Sequence, residues 1–410
     1  MIARSQSDVV PATISASAAA DGAWQAIVVG AGPAGAATAW RLAAGGIRTL
    51  LVDRHALPRA KVCGCCLSPR AVRELRNLTP NALPDAAIPL KSVLLAHARR
   101  SATVPLSAGR VISRGALDPH LVGHAIAAGC HWLPGVHVAS VADTGTSGAV
   151  VTVSTSGESL TLRSDLVVVA TGVADHVRIV DDTQPGSEGR TIASASRIGV
   201  GGVLPAESCD LPWGRLVMAV GPSGYCGLVR LEDGRIDLAA ALDRGAVAEA
   251  GNVHAAVAAL LAEAVDTASC PLPDAAAIEA AMFHATPPLT RRAPLVAGRG
   301  RRVFRVGDAA TYVEPFTGEG IGWALAAARI LAAAAVVPDG LREPADAAAR
   351  YVAGHDRAFA GAHARCRIVA ASLRRPMIVA AAIAGARALP WAARLLAPAV
   401  AGSAPRRVVA

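Results

Sequence analysis

Trp24-Gln25-Ala26-Ile27-Val28-Val29 runs straight into Gly30-Ala31-Gly32-Pro33-Ala34-Gly35, and the Ala-rich stretch Ala36 to Ala44 follows before Gly45-Gly46. Ile47-Arg48-Thr49-Leu50-Leu51-Val52 then ends at Asp53-Arg54. A short apolar run, a glycine turn, a helical segment and a second apolar run closing on an acid make a βαβ unit. The glycines divide the labour: one makes the tight turn, one lets the backbone approach a pyrophosphate, and one packs helix on strand. The helix N-terminus offers its unpaired N–H groups to phosphate, and Asp53, 18 residues beyond Gly35, stands where an acid can hold ribose hydroxyls.

Further buried-strand runs follow. Leu166-Val167-Val168-Val169-Ala170 ends at Thr171-Gly172, and Arg302-Val303-Phe304-Arg305-Val306 ends at Gly307-Asp308. A Gly-Asp at a strand end places a carboxylate beside a ribityl hydroxyl chain. Its distance along the sequence from Gly30 implies one large cofactor touched by both ends of the chain. Between these runs, Trp132 to Val141, Ala149 to Ser154 and Leu160 to Leu162 alternate as antiparallel strands, and residues 190–245 carry more strand patterns. Arg114 to Ala128 reads as a helix opening on Asp118-Pro119, Ala246 to Val265 as another, and Gly322 to Val336 as a long one. The last 70 residues read as helical, with Arg387 and Arg394 seven apart on one face.

Composition narrows the classes. The chain has 410 residues, 53% hydrophobic and only 3% aromatic, so it can bury a real core but offers few stacking platforms for single-stranded nucleic acid. The net charge of +9 comes almost wholly from scattered arginines, since Lys61 and Lys91 are the only lysines, and no nucleic-acid partner is expected. Eight cysteines, three of them crowded at Cys63, Cys65 and Cys66, do not form a disulfide framework. No second cysteine pair completes a zinc site, so no metal is expected. Residues 1–22 read as a disordered tail without a secretory h-region, and a cytoplasmic setting is the expectation.

The glycine turn together with Gly307-Asp308 resembles the FAD-dependent oxidoreductases that include aromatic hydroxylases, geranylgeranyl reductases and flavin-dependent halogenases. Lys61-Val62-Cys63-Gly64-Cys65-Cys66-Leu67-Ser68-Pro69, Arg114-x-x-x-Asp118-x-x-Leu121 and Glu314-Pro315-Phe316-Thr317-Gly318-Glu319-Gly320 are most similar to the geranylgeranyl-reductase-like branch. The resemblance implies an α/β fold: a Rossmann-like, glutathione-reductase-type FAD domain with an inserted, mostly β substrate domain and C-terminal helices. It divides the chain into FAD-binding segments 23–80, 105–180 and 295–340, a substrate lobe of 81–104 and 181–294, and a helical region of 341–410. It implies that Gly30, Ala31, Gly32, Pro33, Ala34, Gly35, Asp53, Arg54, Arg114, Thr171, Gly172, Gly307 and Asp308 contact FAD, with Gly318, Glu319, Gly320 and Ile321 near the isoalloxazine. Where many members carry Asp-Gly after the central strand, this chain has Thr171-Gly172.

The resemblance leaves the reaction open between several readings. The leading one is an NAD(P)H-driven monooxygenase acting on a hydrophobic small molecule. The alternative is reduction of carbon–carbon double bonds in an isoprenoid or polyketide-like chain. Halogenation, with Lys91 as its candidate lysine, and a flavin carrier without turnover are the others. Cys63, Lys61 and Tyr225 are the candidate catalytic residues, each set against a plain structural role, and Trp213 is a candidate pocket wall. The Cys63-x-x-Cys66 spacing also admits a redox pair, although no second nucleotide-binding turn accompanies it. The arginines at 291–292 and 299–305 read either as attractors of a nicotinamide cofactor's phosphates or as a solvated face. The C-terminal helices read as a cap on the flavin domain or as an interfacial amphipathic element giving peripheral membrane contact. The glycine turn carries a direct expectation: Gly32→Val places a side chain against the pyrophosphate, so the purified variant is colourless where the parent is yellow, read by visible absorbance.

Overall fold

The computed structural model describes residues 9–155, 157–180, 189–268, 270–389 and 391–401. Strand β1 (Ala23–Val29) leads through Gly30 into helix α1 (Pro33–Ala44), and β2 (Thr49–Asp53) returns parallel to β1, with Ile27 opposite Leu50. Helix α2 (Pro69–Leu78) precedes the hairpin β3 (Ile88–His97) and β4 (Arg100–Val111). Helix α3 (Arg114–Ala127) and β5 (His131–Pro134) bring the chain back beside β2. The meander β6 (His137–Asp143), β7 (Ala149–Thr155) and β8 (Glu158–Val169) follows, and the second half of β8 lies parallel to β1 on its other side.

The chain then builds a second sheet from β9 (Ile198–Leu204), β10 (Arg215–Gly221), β11 (Gly224–Arg230) and β12 (Ile236–Leu242), covered by α4 (Val253–Ala264) and edged by β13 (His284–Pro288). β14 (Val303–Arg305) re-enters the first sheet against β8, and α5 (Gly320–Ala335), α6 (Pro344–Leu373) and α7 (Pro376–Ala388) follow, with short helical turns beyond them to Ala401.

The parallel strands run in the order β5-β2-β1-β8-β14. β2 is buried at all five residues, as expected of a strand with both faces covered, which is why these segments read as unbroken apolar runs. The second sheet runs β13-β9-β12-β11-β10-β3-β4, closed at its end by the two-residue strand Cys66–Leu67 against Val111 and Arg110. The expected division between residues 104 and 105 falls inside β4, which pairs with β3 from His97–Arg100 to Ile88–Val111. The cysteine loop is thus tied by its own backbone to the substrate sheet.

Several local readings change. Residues 9–22, expected as a disordered tail, are docked: Val10 N–H donates to Leu57, Thr13 N–H to Trp132, and Ser15 caps a short helix, Ala16–Ala20. Residues 1–8 lie outside the described residues. Helix α3 starts at Arg114 under a Ser113 cap, not at Asp118-Pro119, because Ser113 Oγ accepts the Ala116 N–H. Pro119 therefore sits inside the helix, and Asp118 is free to pair with Arg114. The segment 246–265 is two helices, Arg244–Glu249 and Val253–Ala264, since Gly251 adopts φ +85° and Asn252 caps the second. Arg394 does not share a helix face with Arg387: α7 ends at Ala388, and Arg394 lies in the 3-10 segment Ala392–Leu396.

The glycine turn leaves no room for side chains. A Cβ on Gly35 would stand 1.7 Å from the Gly30 carbonyl oxygen, whereas one on Gly46, at φ +79°, meets nothing within 4 Å. Gly35→Ala is therefore expected to lose at least about 3 kcal/mol. Gly46→Ala, which carries only the left-handed backbone penalty, should lose about 1 kcal/mol. Urea unfolding of the two variants against the parent checks the contrast.

Candidate flavin and substrate site

Asp53 closes β2 directly beside the turn. Its Oδ2 accepts the Ala31 N–H at 2.7 Å, and its Oδ1 accepts the His55 N–H and Arg59 Nη1, both at 2.9 Å. The carboxylate is thereby locked at the turn, and Oδ2 keeps a lone pair for a ribose hydroxyl. Gly32 caps α1 without a side-chain bond, so the first N–H groups of the helix have no capping partner from its own cap residue. A Cβ on Gly32 would meet nothing nearer than Arg114 Nη2 at 3.4 Å, so what a larger residue obstructs there is the approach of a ligand and not the fold.

The two distant motifs meet at this point. Gly307 turns at φ +61°, and a Cβ on it would lie 2.9 Å from the Ala34 side chain in the first turn of α1. Asp308 follows immediately. One continuous cavity of about 610 Å³ runs past Gly30, Asp53, Arg54, Lys61, Cys63, Arg114, Thr171, Asp308, Gly318, Gly320 and Ile321. It continues under the second sheet, where Leu90, Leu106, Leu216, Met218, Tyr225, Leu289 and Phe316 line it. Ala31 to Gly35, Gly172 and Gly307 stand behind this wall, and the Glu319 side chain is buried facing Arg70 at 3.9 Å. Trp213 is half exposed, under the Arg230 guanidinium, and Lys91 is exposed; neither lines the cavity.

Where the two halves join, charges are packed close together. Arg114 is buried and gives Asp118 two parallel hydrogen bonds, Nε to Oδ1 at 2.7 Å and Nη2 to Oδ2 at 2.6 Å. Burial opposes its charge, but Asp118 and Cys63 hold the guanidinium protonated. Cys65 adopts φ +49°, uncommon for a residue with a side chain, and this turns its N–H onto Cys63 Sγ at 3.4 Å. Hydrogen bonding from Cys65, followed by the Arg114 charge, outweighs burial and brings the Cys63 thiol down to about 6. Burial, then Arg114 and Arg59, lowers the Lys61 ammonium to about 8, while burial raises the Asp308 carboxyl to about 6 against the pull of Lys61 and Arg114. These three groups can therefore hold or release a proton across the neutral range.

Sequence reasoning missed the supports of this cluster. Asp118 reads as a helix start and as part of the Arg114-x-x-x-Asp118 motif, and only its place four residues after Arg114 on a helix points to their pairing. Ser113 donates through N–H and Oγ to Glu232 at 2.9 and 2.6 Å, fastening α3 to the second sheet across 119 positions. Glu314, which opens the Pro-Phe-Thr-Gly loop, is buried and accepts Arg197 Nη1 at 2.8 Å. Arg197 in turn lies over the Tyr225 ring at 5.6 Å, and Phe316 meets that ring edge-on at 5.1 Å. Burial pushes the Tyr225 phenol well above its ordinary value. Arg291 donates to the Pro288 carbonyl, Arg305 to Pro294 and Arg302 to Gly145 and Asp165, so these arginines brace loops. Among the described residues no group of histidine, cysteine and carboxylate side chains could hold a metal.

Residues 23–207 match the family described as an FAD binding domain. Geranylgeranyl diphosphate reductase of Rhodobacter capsulatus is 29% identical over 160 residues, 38% of this chain and 39% of that protein. Menaquinone reductase of Mycobacterium tuberculosis is 52% identical over 52 residues, 13% of each chain. The aligned region thus spans about two fifths of the first relative and about an eighth of the second. Among solved structures, a geranylgeranyl bacteriochlorophyll reductase-like protein of Thermoplasma acidophilum superposes with a TM-score of 0.70 at 16% identity, over 92% of this chain and 99% of that one. That likeness is one of fold.

The thiol geometry makes its own forecast. Cys63 lines the cavity with a lowered pKa, whereas the hydrogen bond with Cys63, then burial, raises that of Cys65, and burial raises those of Cys66, Cys130, Cys209, Cys226, Cys270 and Cys366. Iodoacetamide should label Cys63 first, with a rate that rises through about pH 6 and is half-maximal there. Arg114→Met should move that midpoint upward, and peptide mass spectrometry of briefly treated protein reads both.

Proposed function

We propose that the chain is an FAD-dependent oxidoreductase of the flavoprotein group related to geranylgeranyl reductases, halogenases and hydroxylases, and that it reduces carbon–carbon double bonds in a prenyl chain. The carrying observation is the cavity itself: an aliphatic arm of Leu90, Leu106, Leu216, Met218 and Leu289 opens onto Cys63, Lys61 and Asp308 at the flavin end. The names of the two curated relatives, a geranylgeranyl diphosphate reductase and a menaquinone reductase, support a polyprenyl group as the shared part of the substrate. This reading displaces the monooxygenase expectation from first place. Lys91, the candidate for halogenation, is exposed and outside the cavity, which removes the support for that reading.

The residues fit FAD: Asp53 keeps an acceptor for the ribose, Gly32 leaves the α1 N-terminus open, and Arg114 and Lys61 supply positive charge for the pyrophosphate side. Bound and reduced, FAD supplies the hydride. The α5 N-terminus at Gly320 turns its positive dipole end toward the cavity and favours negative charge there. The aliphatic arm excludes water and holds the chain extended, so that a double bond is presented at the Cys63 end. Saturation requires one proton besides the hydride, and Cys63 Sγ, Lys61 Nζ and Asp308 are the groups poised to hold it. We take NAD(P)H as the electron source and a reducing, cytoplasmic compartment as the setting.

Holoprotein given NADPH and geranylgeranyl diphosphate without oxygen should yield products heavier by two hydrogens per bond reduced. Products that need oxygen and carry an added oxygen atom would instead restore the monooxygenase reading. Cys63→Ala should retain FAD and lower turnover by roughly 10²–10⁴-fold when assayed below about pH 6, where the Cys63 thiol is protonated.

A further inference from the structure

From residue 357 to residue 410 the sequence contains nine arginines and not one Asp or Glu. Within this stretch α7 packs its Val379, Ile383 and Ala386 side on β3 and β4, in one apolar cluster with Leu90, Leu106, Tyr225 and Phe316 of the cavity wall. The other side of α7 is open to solvent, as are Trp391, Arg394 and Leu395 beyond it. Met377 is 85% exposed, Leu395 72% and Trp391 67%, and Ile378 and Leu389 are exposed with them. Arg375, Arg387 and Arg394 are exposed among these side chains and have no acidic partner among the described residues. Arg374, by contrast, is tied to Asp243 at 3.0 Å and to the Ala195 carbonyl. Among the described residues no single helix is long and apolar enough to cross a membrane.

We propose that α7 and residues 391–396 form an interfacial element that seats the protein on a bilayer bearing anionic lipids. Large apolar side chains interspersed with arginine and free of acid suit the boundary between acyl chains and negative headgroups. A second copy of the chain fits this face poorly, because a two-fold contact would set its uncompensated arginines against themselves. The element forms the outer layer of the same wall that bounds the aliphatic arm, so docking puts the substrate cavity directly above the lipid. Docking itself does not depend on what is reduced; delivery of a membrane-dissolved prenyl chain by this route rests on the reductase reading.

Co-sedimentation of the FAD-loaded full chain tests this with two kinds of vesicle, phosphatidylcholine alone and phosphatidylcholine mixed with phosphatidylglycerol. The parent should sediment with the mixed vesicles, weakly with the neutral ones, and less at high salt. Met377→Glu/Trp391→Glu/Leu395→Glu and Arg387→Glu/Arg394→Glu should each lower partitioning onto mixed vesicles by about tenfold or more. Both alter exposed positions away from the flavin, so FAD content, read by absorbance, should stay at the parent's value. Loss of FAD from a variant shifts the decision to the parent's own salt and lipid dependence. The proposal is overturned if the parent fails to sediment with mixed vesicles, or binds both kinds equally at every salt concentration. It is equally overturned if the flavin-loaded triple variant binds like the parent, or if the parent is a dimer that the triple variant splits while no vesicle binding is seen. Prenyl reduction in detergent bears on the reductase reading alone and leaves these outcomes unaffected.

Discussion

Everything in this structure depends on two close contacts at which glycine alone fits: Gly35 lies against the Gly30 carbonyl, and Gly307 against the Ala34 side chain. The first contact seats α1 on the parallel sheet, and the second brings a segment nearly 280 residues away to the same turn. Strand pairing makes that return obligatory. β14 joins the sheet against β8, Val306 N–H donates to Val169, and Tyr351 of α6 donates its hydroxyl to the Arg305 carbonyl at 2.7 Å. With the sheet closed in this way, Asp53, Thr171 and Asp308, at the ends of three different strands, face one cavity.

The second constraint is electrostatic. Burying a guanidinium, an ammonium, a thiolate and several carboxyls together is costly unless each is paired or hydrogen-bonded, and breaking one pair leaves a buried charge without compensation. Arg114 satisfies most of this requirement, because it neutralises Asp118, lowers Cys63 and opposes the charge on Lys61. The cluster is held from both sides, by α3 of the flavin domain and by the cysteine loop that pairs with β4 of the other sheet. The junction between the domains is therefore also the place where a proton can be held at neutral pH, next to an arm lined by Leu90, Leu106, Leu216, Met218 and Leu289 together with Tyr225 and Phe316.

Much of the flavin half was legible because its signals are local. The glycine spacing, the apolar runs of buried parallel strands and the acid at the end of β2 follow from constraints within a few residues. What escaped was long-range or depended on competition between caps. Asp118-Pro119 has the form of a helix start, but Ser113 lies five residues earlier and makes the bond. Arg197–Glu314 and Ser113–Glu232 join positions more than a hundred residues apart, and no periodicity reports such pairs. Trp213 was a candidate pocket wall, from its place in the inserted lobe, set against a core role; it lies under Arg230, half exposed. Tyr225 does line the cavity, because the alternation of β11 turns it to the same side as Gly227.

The central claim is that this cavity holds reduced flavin against a prenyl double bond, with a proton-holding cluster at their junction. Turnover of a prenyl substrate in heavy water under oxygen-18 gas, with the product analysed by mass spectrometry, tests it most directly. The account predicts solvent deuterium on the newly saturated carbons and no oxygen-18 in the product. Oxygen-18 in the product with the double bonds intact would contradict it.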